Sequence, residues 1–421
     1  MIRFWISVFV TVALVVPASA ADQQIKIATF SADVTPPLGA PLGYGHYGVA
    51  VEIVNPLSAR GIVILSDQKP IVLCAVDWIG LNEGGHDAFR DALAKAADTT
   101  RERVNVHCLH QHDAPGVNFT AEEALAKEGR GGKSCDVAAA RAAIAATAKA
   151  LADSIAKGPK SVTHLGIGKA KVEQVASNRR IIGPDGKSKV VRWSATKDPD
   201  VRAEPEGLID PFVQLLSFWD GDKPLASVTY YATHPQSYYG KGGVSCDFPG
   251  IARGLRDADL PDVAHIHFNG AGGNITAGKY NDGNPANRPV LAQRLAAGMK
   301  AAWEATKKTP ISSADLDYRV EYVTLPSTRL TPDRKNDLTA LRLGPAWVLH
   351  MPGELFVEYQ LAAQDMRPDA TVCMAAYGDL AAGYIGTERA YLEGGYEPKA
   401  SKVTPAVEKV LMDAMRKLLA K

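Results

Sequence analysis

Two histidines one residue apart, His110 and His112 in HQHDAPG, are the first residues of this 421-residue chain whose types and spacing could hold a metal. On an extended segment, positions i and i+2 project to the same face, so both imidazoles can address one point. An isolated HxH is more often a pair of surface imidazoles bonded to their neighbours, and its weight depends on partners elsewhere in the chain. His234 in ATHPQSYYG follows a strongly β-forming run, and Pro235 holds it extended and ends the strand. Glu354 in MPGELFVEYQ comes after Pro352 and Gly353, which break a strand, and is expected in the first turn of the next helix. An acid there favours the helix dipole without any further role, but it is also a hard oxygen donor. Two or three neutral imidazoles and one carboxylate make a catalytic zinc site when a coordination position stays open for water, which suits hydrolysis of an amide or ester. Spacing alone does not establish it, and there is no HExxH helix.

Other motifs are weaker. GGKS (131 to 134) and DGKS (185 to 188) lack the first P-loop glycine, since Lys127 and Ile181 stand in its place. No GxSxG elbow is present. A second HxH, His265 and His267, lies inside an apolar run before a glycine-rich stretch and reads as structural.

The elements that must position these residues alternate between apolar runs and Ala-rich helical patterns. Residues 61 to 66 and 70 to 76 form a predicted hairpin, followed by a helix over 86 to 97, the strand RVNVHCLH, and a helical repeat ending at Gly158. Strands are expected at 225 to 233, 263 to 270, 346 to 351 and 371 to 377, with helices near 289 to 306 and 403 to 419. This is an α/β fold, a mixed sheet flanked by helices in one large catalytic domain over residues 21 to 421. The candidate residues fall at or beyond the carboxyl ends of predicted strands, where open α/β sheets bind ligands.

Residues 1 to 20 read as a cleaved signal peptide, with Arg3, an apolar run from Phe4 to Val16, and small residues Ala18 and Ala20 at the cleavage positions, so the mature protein is expected to be secreted or periplasmic. No later segment resembles a spanning helix. A net charge of +1 gives no electrostatic reason to expect nucleic acid or an anionic membrane surface. The five cysteines are scattered without a CxxC pair, and Cys74, Cys108 and Cys373 lie in apolar runs as expected of small buried hydrophobes.

Seven stretches, FSADVTPPLG, HQHDAPG, SNRR, ATHP, NGAGGNITAGKYNDG, MPGE and YIGTERAYLEGGYE, resemble in order and surroundings the catalytic domain of the neutral (non-lysosomal) ceramidases, over nearly the whole mature chain. The resemblance implies zinc held by His110, His234, Glu354 and Tyr384. It places His112 beside the reacting carbonyl, Arg179 at the developing oxyanion, and Tyr396 in a hydrogen bond to the substrate oxygen. The expected activity is hydrolysis of an N-acyl, ceramide-like substrate by water activated on zinc. This sequence departs from the family at Asp113 and Ala114, where ceramidases carry Ser and Gly, and at Thr276, which stands about where they have a serine. It also ends after the last helical pattern, with no room for the C-terminal β-sandwich domain. A related hydrolase of esters or acylated sugars, a non-catalytic exported binding protein, and a TIM-barrel amidohydrolase are the competing readings; the last normally places HxH after its first strand, whereas several precede His110 here.

Overall fold

A computed structural model describes residues 24–327, 329–330 and 334–421. The expected signal peptide lies outside the described residues. Three mixed sheets make the framework, and each contains antiparallel strands and one parallel edge pair. The first runs in the order Val104–Cys108, Ile71–Val76, Ser58–Leu65, Ile25–Asp33, Lys160–Val162. The second is ordered Ala264–Asn269, Lys223–Tyr231, Phe212–Asp220, His164–Lys171, Lys307–Pro310, and the third Leu316–Thr324, Lys335–Leu343, Ala346–His350, Thr371–Ala375. The parallel pairs are Ile71–Val76 with Val104–Cys108, Lys223–Tyr231 with Ala264–Asn269, and Ala346–His350 with Thr371–Ala375.

The inner faces of the three sheets meet in a common apolar core, to which Ile62, Leu73, Phe218, Phe268, Leu341 and Val348 all contribute. Strands buried on both faces read as continuous apolar runs, which is why IVLCAV and AWVLH show no alternation. Helices cover the outer faces: Gly84–Ala96 and Val137–Ala156 on the first sheet, Asp247–Asp259 and Asn287–Glu304 on the second, and Val357–Met366 and Val407–Leu418 on the third. The long Val137–Ala156 helix starts where the Asp136 carboxylate accepts the Ala139 amide, and Gly158, at φ +99°, ends it by taking a conformation that costs side-chain-bearing residues energy.

The carboxyl ends of the three parallel pairs are tied together by hydrogen bonds that cross between sheets. The Cys108 amide donates to the Tyr377 carbonyl (2.9 Å) and the Ala376 amide to the Asn269 carbonyl (3.0 Å). The Asn269 side chain donates to the Leu109 carbonyl. These bonds bring the loops after three separate strand pairs to one point. All five cysteines are buried and unpaired, consistent with their apolar surroundings. No helix among the described residues is long and apolar enough to cross a membrane.

Candidate metal centre

His110, His112 and His234 meet at that point, with one ligand nitrogen from each lying within 4.8 Å of the others. Glu354 reaches the same place. Its Oε2 is 3.3 Å from His110 Nε2 and 3.6 Å from His234 Nε2.

The imidazoles are oriented from behind. His110 Nδ1 donates to the Ile79 carbonyl (2.6 Å) and His234 Nδ1 to the Gly272 carbonyl (3.1 Å), which leaves the Nε2 lone pair of each facing Glu354. Histidines that bind metals show this pattern, because a carbonyl on one ring nitrogen fixes the tautomer of the other. His110 Nε2, His234 Nε2 and Glu354 Oε2 are buried and have no hydrogen-bond partner in the protein. Two imidazole lone pairs and a carboxylate oxygen, all acceptors, cannot satisfy one another, so the set fits a divalent cation in chemistry and in placement. Burial, the neighbouring histidines and the Arg179 charge push His112 and His234 well below the usual imidazole pKa. Neutral imidazole is the form that binds a metal.

The local backbone differs from the extended HxH expected from sequence. The strand ends at Cys108, and His110 sits at φ +68° with its amide bonded to the Trp78 carbonyl (2.9 Å). The two rings converge edge to face at 5.2 Å through a left-handed residue, a conformation that bulky side chains adopt only when their surroundings enforce it. Glu354 is also placed differently. It lies in a two-residue strand, Glu354–Leu355, paired in parallel with Tyr384–Ile385, and the helix begins later at Val357. Its position therefore owes nothing to a helix dipole.

The NGAGGN loop explains its own glycines. Gly272 gives His234 its carbonyl acceptor, and the Asn274 carbonyl takes the Arg179 amide (2.7 Å). A Cβ on Gly273 would stand 2.2 Å from the Glu354 carbonyl oxygen, so only glycine permits this approach. Arg179 is buried and donates through Nη1 to the Tyr384 hydroxyl (3.0 Å). Burial opposes its charge, but Tyr384, Glu397 and Glu354 outweigh that and raise its pKa. Burial and Glu354 raise the Tyr384 phenol well above its ordinary value against the pull of Arg179, and its ring stacks 6.2 Å from His234. Tyr396 packs edge to face on Tyr384 at 5.7 Å and is 41 % exposed, which places it at the mouth. Thr276 is buried in a short ladder with Ser177, and its hydroxyl accepts the Gly278 amide (3.3 Å). His265 and His267 stay apart from the cluster, and His267 Nδ1 pairs with the Thr229 hydroxyl (2.9 Å).

Two residues of the site carry no recognisable signal in sequence. Gln236, two positions after His234, contacts His112 Nε2 through its amide nitrogen while its oxygen accepts the Ser194 hydroxyl. That chain makes His112 Nε2 the acceptor and leaves the buried, unpartnered Nδ1 as the N–H. Tyr377 stacks on His110 at 4.8 Å, at φ +63°. A glutamine beside a histidine and an aromatic at a strand end are too common to stand out.

No protein-family model and no curated protein matches this chain. Solved structures do, among them two ceramidases. A ceramidase complexed with C2 superposes with a TM-score of 0.72 at 15% identity, covering 94% of this chain and 75% of its own. The neutral ceramidase of Pseudomonas aeruginosa gives 0.71 at 15% identity, covering 94% and 74%. The chain therefore has the neutral ceramidase fold.

Proposed function

We propose that this protein is an exported zinc-dependent hydrolase that cleaves an acyl bond, foremost the amide of an N-acyl, ceramide-like substrate. The observation that carries the proposal is the convergence of three buried, unsatisfied acceptors, His110 Nε2, His234 Nε2 and Glu354 Oε2, on one point. A divalent ion held by these residues, with Tyr384 as the fourth donor, would polarise an acyl carbonyl and activate water near neutral pH.

The remaining work falls to the chain's own groups. Arg179 keeps its charge in a buried setting, where a fixed donor stabilises developing negative charge far better than in water. Tyr396 at the mouth can add a second donor to the same oxygen. His112, neutral and aimed by Gln236, presents its Nδ1–H as a hydrogen-bond donor to the reacting acyl group. The ceramidases that share the fold support the acyl-bond reading. Its test is turnover by zinc-loaded protein of a fluorogenic N-acyl sphingosine and of the matching O-acyl ester. Release of sphingosine from the amide is expected, and hydrolysis of neither of these nor of any other N-acyl compound by zinc-loaded protein would overturn the proposal.

A further inference from the structure

Single exposed aromatics are ordinary, but several gathered at one place mark a binding surface. Four stand exposed among the described residues, and three of them, Trp193, Tyr239 and Tyr396, border the metal centre. Tyr47, partly buried, joins them. The rings form two groups. Tyr47 stacks on His112 at 5.0 Å, and Tyr239 meets both Tyr47 (4.9 Å) and His112 (4.7 Å). Trp193 meets Tyr396 at 5.0 Å, and Tyr396 leans on Tyr384. Ring contacts across the metal centre join the two groups, His112 to His234 at 5.9 Å and His234 to Tyr384 at 6.2 Å, so both border the same site.

Each ring is carried on a fixed backbone. The Trp193 carbonyl accepts the Thr196 hydroxyl (2.9 Å) and presses on Gly278, where a Cβ would lie 1.8 Å away. The next residue, Ser194, is bonded to Asn281 and Gln236. Tyr239 is flanked by the Tyr238 carbonyl, which accepts Arg288 (2.7 Å), and by the Gly240 amide, which donates to Asp113 (2.8 Å). Tyr396 precedes the fully buried Glu397, ion-paired to Arg180 at 3.0 Å. Tyr47 lies against Gly43, where a Cβ would meet the tyrosine ring at 2.1 Å. These are preorganised platforms, and preorganisation is what lets a flat face bind without loss of side-chain freedom.

Flat, fixed aromatic faces that also carry hydroxyl and indole N–H groups match a flat ring that is apolar on its face and hydroxylated at its edge. Resting on the acyl hydrolase reading above, we infer that the mouth is a subsite for a pyranose-like ring, and that the preferred substrate is an acylated sugar such as an N-acyl amino sugar. In the reaction, water supplies the oxygen that bonds to the carbonyl carbon, the C–N bond breaks, and the proton passes to nitrogen, giving a carboxylate and a free amino sugar.

The test compares three N-acyl substrates on zinc-loaded protein: the methyl glycoside of N-acetylglucosamine, its open-chain alditol, which keeps the hydroxyls but not the ring, and N-acyl sphingosine. The glycoside is expected to exceed the alditol in kcat/KM by at least about tenfold, the size of one aromatic stacking face. Trp193→Ala and Tyr239→Ala should each remove most of that margin while leaving zinc content unchanged. Turnover of N-acyl sphingosine with no preference for the ring, or a preference untouched by both variants, would overturn this inference and leave the hydrolase reading intact. Failure on all three substrates and on the O-acyl ester, with zinc bound, would overturn both.

Discussion

Glu354 and Tyr384 face one another in register across a two-residue parallel ladder, so the carboxylate and the phenol enter the site from strands that fix each other. A change at either strand is felt by the other. Tyr384→Phe removes one oxygen and leaves this ladder intact. It is expected to weaken zinc binding by about 10- to 100-fold, measured by competition with a chromogenic chelator. Unchanged affinity would take Tyr384 out of the ligand set and leave it as a hydrogen-bond partner of Arg179.

Gln236 touches His112 and not His110, His234 or Glu354, so its effect should pass through His112. Gln236→Leu should lower kcat by about 10²-fold, within the range of a lost transition-state hydrogen-bond donor, while zinc content and KM stay close to the parent. Gln236→Glu, which offers an acceptor where the imidazole needs a donor, should not rescue it. A normal kcat in the leucine variant would show that His112 needs no such partner.

Gly273 tests the close approach of the glycine loop to the Glu354 strand. A methyl group there collides with the Glu354 carbonyl oxygen. Gly273→Ala should cost about 1–3 kcal/mol in denaturant unfolding, as overpacking of a filled interior does, and should reduce zinc affinity as well. Gly254→Ala, on a helix with open space around it, is the control and should be neutral or slightly stabilising.

Stability should fall in acid through buried histidines outside the metal cluster. Burial lowers both His107 and His267 to a pKa of about 3. Below the ordinary imidazole value of about 6.5 the unfolded chain takes up protons that the folded chain refuses, so stability is lost as pH drops from there toward 3. The two together give a slope of at most about 2–3 kcal/mol per pH unit. Urea unfolding of metal-free protein between pH 7 and 4.5 should show the loss, and His267→Gln should make it shallower. An identical slope in the variant would contradict this assignment.

The clustering of His110, His234 and Glu354 was legible in sequence because these residues stand at strand ends marked by Pro and Gly, as at His234 before Pro235 and Glu354 after Gly353. Strand and helix positions followed from apolar runs too long and too regular to be loops. Two features were not readable. The left-handed turn at His110 is imposed by bonds to Trp78 and Ile79, residues about thirty positions away, and local pattern carries no trace of them. The pairing of Glu354 with Tyr384 is equally non-local, and it overrode the helix start that PGELF suggests. Gln236 and Tyr377 gain their roles only when three sheets bring separate loops together, which is tertiary information.

The central claim is that His110, His234 and Glu354 hold a catalytic metal. Elemental analysis of the purified protein after zinc loading and removal of excess, beside His110→Ala and Glu354→Gln, tests it most directly. One zinc per chain is expected in the parent and none in either variant, with their fold retained by circular dichroism. A parent that takes up no zinc, or variants that keep it, would show that His110, His234 and Glu354 are not metal ligands.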